Sequence, residues 1–170
     1  MTTRSYTWYE SPVGRLLLAG SRDGLNYVRF STGKRAVAAD PDWTEERSLF
    51  DDAIRQLGEY FAGERKTFSL KLIPDGTDFQ RAVWSELRKI PYGDTISYKE
   101  LADRIGKPKA VRAVGAANGA NPIPIIIPCH RVIGNDGSLT GFGGGLPLKK
   151  RLLELESRQL ALALNARVNR

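Results

Sequence analysis

One cysteine, one histidine and one methionine are all that this 170-residue chain holds of those types. A lone cysteine makes no internal disulfide, which fits a reducing compartment and removes the usual structural reason for having it. One Cys and one His fall short of the four ligands of a structural zinc site, so no metal and no cofactor is expected. Long apolar runs are missing as well, and so is a charged-then-apolar leader; a soluble, cytoplasmic protein is expected. Internal repeats and low-complexity tracts are also missing. The length suits one domain or two small ones with a proper core.

Acidic residues are scarce in the second half. Residues 80–170 carry 15 Lys+Arg against 7 Asp+Glu, whereas residues 1–79 carry 11 against 12. Such asymmetry points to a polyanion bound by the second half, or to a solvated basic surface; charge alone does not separate the two.

The first third reads as antiparallel β. "RSYTWYE" and "GRLLLAG" flank the turn "SPVG", and "GLNYVRF" follows "SRDG". Ser31 to Asp42 reads as a loop. From Thr44 the pattern turns helical, with Leu49, Ala53, Leu57, Tyr60 and Phe61 recurring at three and four until Gly63. "TFSLKL" reads as a further strand and "IPDGTD" as a linker, dividing the chain into residues 1–74 and 75–170. Beyond it, Asp78 is expected to cap the helix "FQRAVWSELRKI". In "SYKELADRIG", Ser97 and Glu100 form a capping-box pattern and Gly106 a stop. A second short helix, Lys109 to Gly119, completes a helix-turn-helix pattern.

That second helix is unusual. Lys109, Arg112, Gly115, Ala116 and Gly119 fall on one side, and Ala110, Val111, Val114 and Ala117 on the other. A nearly bare face around one long cation suits close approach to a nucleic-acid groove, with Arg112 reaching into the base stack. It suits equally a face packed on another helix, with Arg112 paired to an acid. The last helix, "LKKRLLELESRQLALAL", has its apolar stripe at Leu148, Leu152, Leu153, Leu155, Leu160 and Ala163, with Glu156 in the middle of it. A carboxylate on a buried face needs a partner, because an unpaired buried charge costs several kcal/mol. His130, Lys149 and an arginine are the candidates.

The scarce residues stand together in "IPCHRVIG", as Cys129 and His130. Cysteine attacks as a thiolate, and its free pKa of about 8.5 has to be lowered by a base or a positive dipole. A relay in which Glu156 orients His130 and His130 deprotonates Cys129 would supply that. Neighbours in an extended segment point to opposite sides, so the pair needs a bend, which Pro128 could impose, or a bridging water. Asn121 precedes two prolines and could brace such a turn. The alternatives are a cysteine acting as a small buried hydrophobe and a hydrogen-bonded core histidine.

Taken together, "RAVGAANGANPIPIII", "IPCHRVIG", "GGG" and "LLELE" resemble the methylated-DNA–protein-cysteine methyltransferases, the O6-alkylguanine-DNA alkyltransferase family. The resemblance is specific from "GTDFQRAVW" to Glu156, and "SPVGRLLLAG" and "LGEYFAGER" agree with it in layout. It implies an α+β fold: an N-terminal α/β domain of ribonuclease-H-like type with an antiparallel sheet, and a mainly helical, winged-helix-like C-terminal domain with a helix-turn-helix. It implies that Cys129 takes the alkyl group from O6-alkylguanine, and from O4-alkylthymine, in one irreversible transfer. His130 is then the base acting through a water, with Glu156 orienting it and Asn121 bracing the turn. Tyr98 crowds the target phosphate and donates a proton toward the base, and Arg112 fills the gap left by the extruded nucleotide. The partner implied is double-stranded DNA, met in the minor groove by the face of Lys109, Gly115, Ala116 and Gly119. The protein is then a monomer, with cooperative assembly along DNA left open. Val132, Phe142, Gly143 and Gly144 are placed at the alkylguanine pocket. Two positions depart from other members: Phe142 stands where some have tyrosine, and Gly143 where others have serine. Two further readings stay open, a lesion-flagging relative, which lacks the cysteine, and a cysteine hydrolase using the same pair.

Overall fold

The structure, a computed structural model, describes residues 3–31 and 38–168. Three strands, β1 (Ser5–Ser11), β2 (Gly14–Ser21) and β3 (Gly24–Phe30), pair antiparallel as the turn signals predict. A two-residue β4 (Thr44–Glu45), where the helical pattern was expected to begin, pairs parallel to β1, and the order is β3-β2-β1-β4. The predicted helix follows as a 3-10 turn at Arg47–Phe50 and α1 (Asp51–Phe61), which buries Ala53, Gln56, Leu57 and Tyr60. Residues 32–37, half of the expected Ser31–Asp42 loop, lie outside the described residues.

"TFSLKL" is not a regular strand. It touches the sheet at one bridge, Leu25 to Leu72, with Leu25 N–H donating to Lys71 O at 2.9 Å and Ile73 N–H to Leu25 O at 2.8 Å. The buried Gln56 side chain accepts from Ser69 N–H at 2.9 Å, so the helix satisfies backbone that a neighbouring strand would otherwise hold. The result still covers the first half of the β3 edge, which would otherwise invite pairing. The second half of that edge meets the C-terminal half of the chain, where Val28 N–H donates to Pro122 O at 2.9 Å.

The second half contains α2 (Asp78–Leu87), α3 (Tyr98–Arg104), α4 (Val111–Gly119) and α5 (Leu146–Val168). Beside them a two-residue parallel pair forms between β5 (Ile96–Ser97) and β6 (Val132–Ile133). The cap of α2 is Thr77, not Asp78: its hydroxyl accepts from Gln80 N–H while Gln80 Oε1 accepts from Thr77 N–H, a full capping box. At α3 only half of the expected box forms. Ser97 Oγ accepts from Glu100 N–H, but the Glu100 carboxylate turns outward to Arg104, at 2.9 Å. Gly106 ends the helix at φ +73°. α4 starts two residues later than expected, because Ala110 N–H closes a turn onto Lys107 O; Lys109 is therefore exposed and outside the helix. One continuous core joins both halves, from Leu16, Leu18 and Leu57 through Trp84, Leu87 and Val114 to Leu152. Trp84 Nε1 donates to Ala117 O at 2.8 Å and ties α2 to α4. Among the described residues no helix is long and apolar enough to cross a membrane.

Candidate active site

The run "NPIPIIIPCHR" folds into two successive turns. Ile127 N–H donates to Ile123 O at 2.9 Å, and Ile125, inside that turn, is held at φ +74°. A β-branched residue in the left-handed region costs about 1–3 kcal/mol, sustained here by burial of Ile123 to Ile127. Asn121 braces the loop from both sides: Nδ2 donates to Ile127 O at 2.8 Å and Oδ1 accepts from Ile123 N–H at 3.0 Å. The same amide pulls the Cys129 thiol pKa downward. Cys129–Arg131 then make one 3-10 turn, with Cys129 N–H donating to Ile127 O at 2.8 Å. That turn is the bend that an adjacent Cys–His pair requires.

Glu156, on α5, is fully buried and surrounded by donors. Oε1 accepts from His130 Nε2 at 2.7 Å, Arg131 Nη2 at 2.8 Å and Tyr60 Oη at 2.8 Å. Oε2 accepts from Arg131 Nε at 3.0 Å and from Gly93 N–H at 3.2 Å. Burial pushes the carboxyl pKa up, but hydrogen bonds and charge from His130 and Arg131 outweigh it and hold the group at about 2. Since an ionised carboxylate only accepts, His130 carries its proton on Nε2 and presents a lone pair at Nδ1. That Nδ1 is buried and has no hydrogen-bond partner among the described residues. Burial, with Arg131 and Lys149 nearby, overrides the pull of Glu156 and keeps the ring's pKa below its ordinary value, so it is a neutral base.

Cys129 is 5% exposed and lines a cavity of about 520 Å³ shared by both halves. β3 contributes Tyr27, Val28, Arg29 and Phe30; the opposite wall includes Asn118, Gly119, Asn121, Phe142 and Gly143. Burial lifts the thiol to about 11 against the pull of Asn121 and Lys149, so at rest it is protonated. Lys149 is itself fully buried and lowered to about 8 by desolvation. Its Nζ donates to Val132 O at 2.5 Å and Thr140 O at 2.8 Å, fastening the loop that carries Phe142 and Gly143 to the segment after Cys129.

The predicted residues thus divide. Asn121 meets Cys129, and Glu156 meets His130, the next residue in the chain; Glu156 takes two of its three candidate partners, His130 and an arginine, but not Lys149. Tyr98 stands apart at the start of α3, its hydroxyl donating to Thr140 O at 3.0 Å. Arg112 is exposed on α4 and forms no ion pair among the described residues, while Val114 and Ala117 face the core. Ala116 is exposed beside it, as the helical plot requires. A Cβ at Gly119 would meet nothing within 4 Å, and one at Gly115 would only touch the Tyr98 ring at 3.8 Å. The chain's own packing therefore does not demand these glycines. Phe142 and Gly143 line the cavity, and Phe142 packs on Phe30 at 5.7 Å between ring centroids. Val132 and Gly144 do not line it: Val132 is fully buried on β6, and Gly144 is pressed against Phe30 and Leu148. The side chain of Ala163, placed on the α5 stripe, lies outside the described residues.

Sequence reasoning missed Arg131, Tyr60, Gly93 and the role of Lys149. Arg131 had a signal, a cation next to the only histidine; Gly93 had one too, in the turn "PYGD". At φ +84°, with a Cβ that would lie 2.0 Å from Leu160, only glycine brings that N–H to Glu156. Tyr60 had none, being 96 residues away from its partner.

A cavity-lining cysteine, followed by a histidine braced by a buried carboxylate and preceded by a helix-turn-helix, fits the class of proteins whose thiol acts on a bound macromolecule. The comparisons narrow it. Residues 5–74 match the 6-O-methylguanine DNA methyltransferase ribonuclease-like domain, and residues 78–158 the DNA-binding domain of the same family. The chain is 54% identical over 151 residues to the methylated-DNA–protein-cysteine methyltransferase of Methanosarcina acetivorans, covering 89% of this chain and 97% of that protein. It is 50% identical over 159 residues to that of Haemophilus influenzae, covering 92% and 88%. The crystal structure of Mycobacterium tuberculosis OGT in complex with DNA superposes with a TM-score of 0.86 at 50% identity, covering 91% and 94%. The chain belongs to the 6-O-methylguanine DNA methyltransferase family.

Proposed function

We propose that this protein repairs DNA by direct reversal, with Cys129 accepting the alkyl group of O6-alkylguanine, and of O4-alkylthymine, in a single irreversible transfer. It acts as a methylated-DNA–protein-cysteine methyltransferase. The observation that carries the reading is the site itself: a cavity-lining thiol next in sequence to a histidine whose Nε2 is spent on Glu156 and whose Nδ1 lone pair is unengaged among the described residues. The resting thiol is protonated, so activation belongs to the loaded site. His130 Nδ1 takes the thiol proton through a water, and sulfur attacks the alkyl carbon. The bond from that carbon to O6 breaks, and guanine leaves as a neutral base once protonated. Glu156 stabilises the imidazolium. As the lesion enters beside Phe142, the backbone N–H of the cavity-lining Gly143 donates to O6. Tyr98 donates toward the base after turning from Thr140. A thioether is a poor leaving group and the chain has no second thiol, so each molecule acts once.

The DNA partner is met in the minor groove by α4. Support comes from its bare, outward face, at whose glycines an added Cβ would meet little or nothing among the described residues, and from the exposed Arg112, which has no ion pair among them. Lys109, in the turn before α4, adds a phosphate contact. The same reading divides the chain near residues 74 and 75, treats the protein as a cytoplasmic monomer, and needs no cofactor. Intact mass after mixing with a duplex bearing O6-methylguanine tests it. One methylene added to the Cys129 peptide, once per molecule, supports transfer. Tight binding with unchanged mass would instead indicate a flagging protein, and repeated ester turnover a hydrolase.

A further inference from the structure

Glu156 is a chemical junction of the two halves of the chain. Three of its partners come from residues 93–131, but the fourth is Tyr60, on α1 of the N-terminal half. Its hydroxyl shares Oε1 with His130 Nε2 and Arg131 Nη2 at 2.7–2.8 Å. The ring meets Phe61 and Tyr92 edge-on and packs on Phe68 at 5.5 Å, while its hydroxyl is held by Glu156. With the hydroxyl fully buried beside a carboxylate, its ionisation is pushed far above the ordinary value by burial and then by Glu156. It is therefore a permanent donor.

We propose that Tyr60 is a positioning residue for alkyl transfer, which sets the basicity of His130 through Glu156. This rests on the assignment of His130 as the base. Each donor on Oε1 draws charge from the oxygen that faces the imidazole. Tyr60 thus limits how strongly Glu156 favours the imidazolium, and keeps His130 neutral where a base must be neutral. The other groups facing this pair are Arg131 from the 3-10 turn, Lys149 from α5, and Tyr92 and the Gly93 N–H from the turn after α2. All of them stay in place when only the Tyr60 hydroxyl is removed.

The chain has one histidine, so its imidazole signals in NMR report His130 alone. Tyr60→Phe deletes one oxygen and keeps the ring. The His130 titration midpoint is expected to rise by roughly half a pH unit or more. The acid limb of single-turnover methyl transfer should move with it. Phe61→Leu, in the same aromatic cluster but without a bond to Glu156, should lower the melting temperature and leave both midpoints in place. Protein made with fluorinated tyrosines, whose hydroxyls donate more strongly, should shift the midpoint the other way. A His130 midpoint unmoved in both the Phe variant and the fluorinated protein overturns the proposal, as does an equal shift in Phe61→Leu. Absence of methyl transfer by the unaltered protein would overturn the repair reading instead, and the NMR titration would still test the coupling.

Discussion

Replacing Glu156 with glutamine puts a number on the buried network. The substitution keeps the shape but leaves Arg131 without its counter-charge, and it points an NH2 at groups that are themselves donors. Removing one partner of a buried ion pair costs about 3–5 kcal/mol. The pKa route agrees: about 2 in the fold against an ordinary 4.5 corresponds to roughly 3 kcal/mol. At this chain length each kcal/mol moves the melting temperature by about 2–4 °C, so Glu156→Gln should melt roughly 6–20 °C lower at neutral pH. The sign of the pH dependence follows from a depressed folded-state pKa. The carboxylate's contribution is complete above pH 4.5 and is lost as pH falls from there to about 2. Scanning calorimetry of both proteins across that window should show the gap closing from the acid side. A gap below about 2 °C at neutral pH, or one that does not shrink on acidification, would refute the view of Glu156 as a paired buried anion.

Other outcomes follow from single features. With its thiol lifted to about 11 from an ordinary value of about 8.5, Cys129 should react with iodoacetamide about 300-fold more slowly than free cysteine at neutral pH; a labelling midpoint below about 9 would contradict that. Arg112→Ala should cut methyl transfer from duplex DNA by roughly ten-fold. Its effect on transfer from the free modified base should be far smaller, and equal losses would remove Arg112 from the DNA interface. Gly143→Ser, where a Cβ meets open space, should change urea-unfolding stability by less than about 0.5 kcal/mol. Gly144→Ala, with Leu148 at 2.7 Å and the Phe30 ring at 2.9 Å, should cost about 1–3 kcal/mol. The reverse order would show that the cavity wall is placed differently.

Much of this protein was legible because its signals are local. Alternating apolar residues and tight turns marked β1 to β3, and three-four periodicity marked α1 and α5. A carboxylate inside an apolar stripe announced a buried partner without any structure. The errors were local too. Thr77 and Asp78 are both good caps, and only the backbone at Thr77 selects between them. "TFSLKL" has strand composition, but a buried glutamine side chain took the place of a neighbouring strand.

The residue set at Cys129, His130 and Glu156 was determined by the sequence itself, since the rarest side chains stand adjacent and the acid sits where water cannot reach it. Which partners Glu156 takes was decided by tertiary structure alone. Arg131, Gly93 and Tyr60 arrive from a 3-10 turn, a left-handed glycine turn and the opposite half of the chain, and periodicity carries no information across such separations. The protonation states were decided there as well. A thiol lifted by burial, a lysine lowered by it and a carboxylate held down despite it all depend on how much water remains and which charges lie within a few ångströms, and only the packed chain sets those quantities.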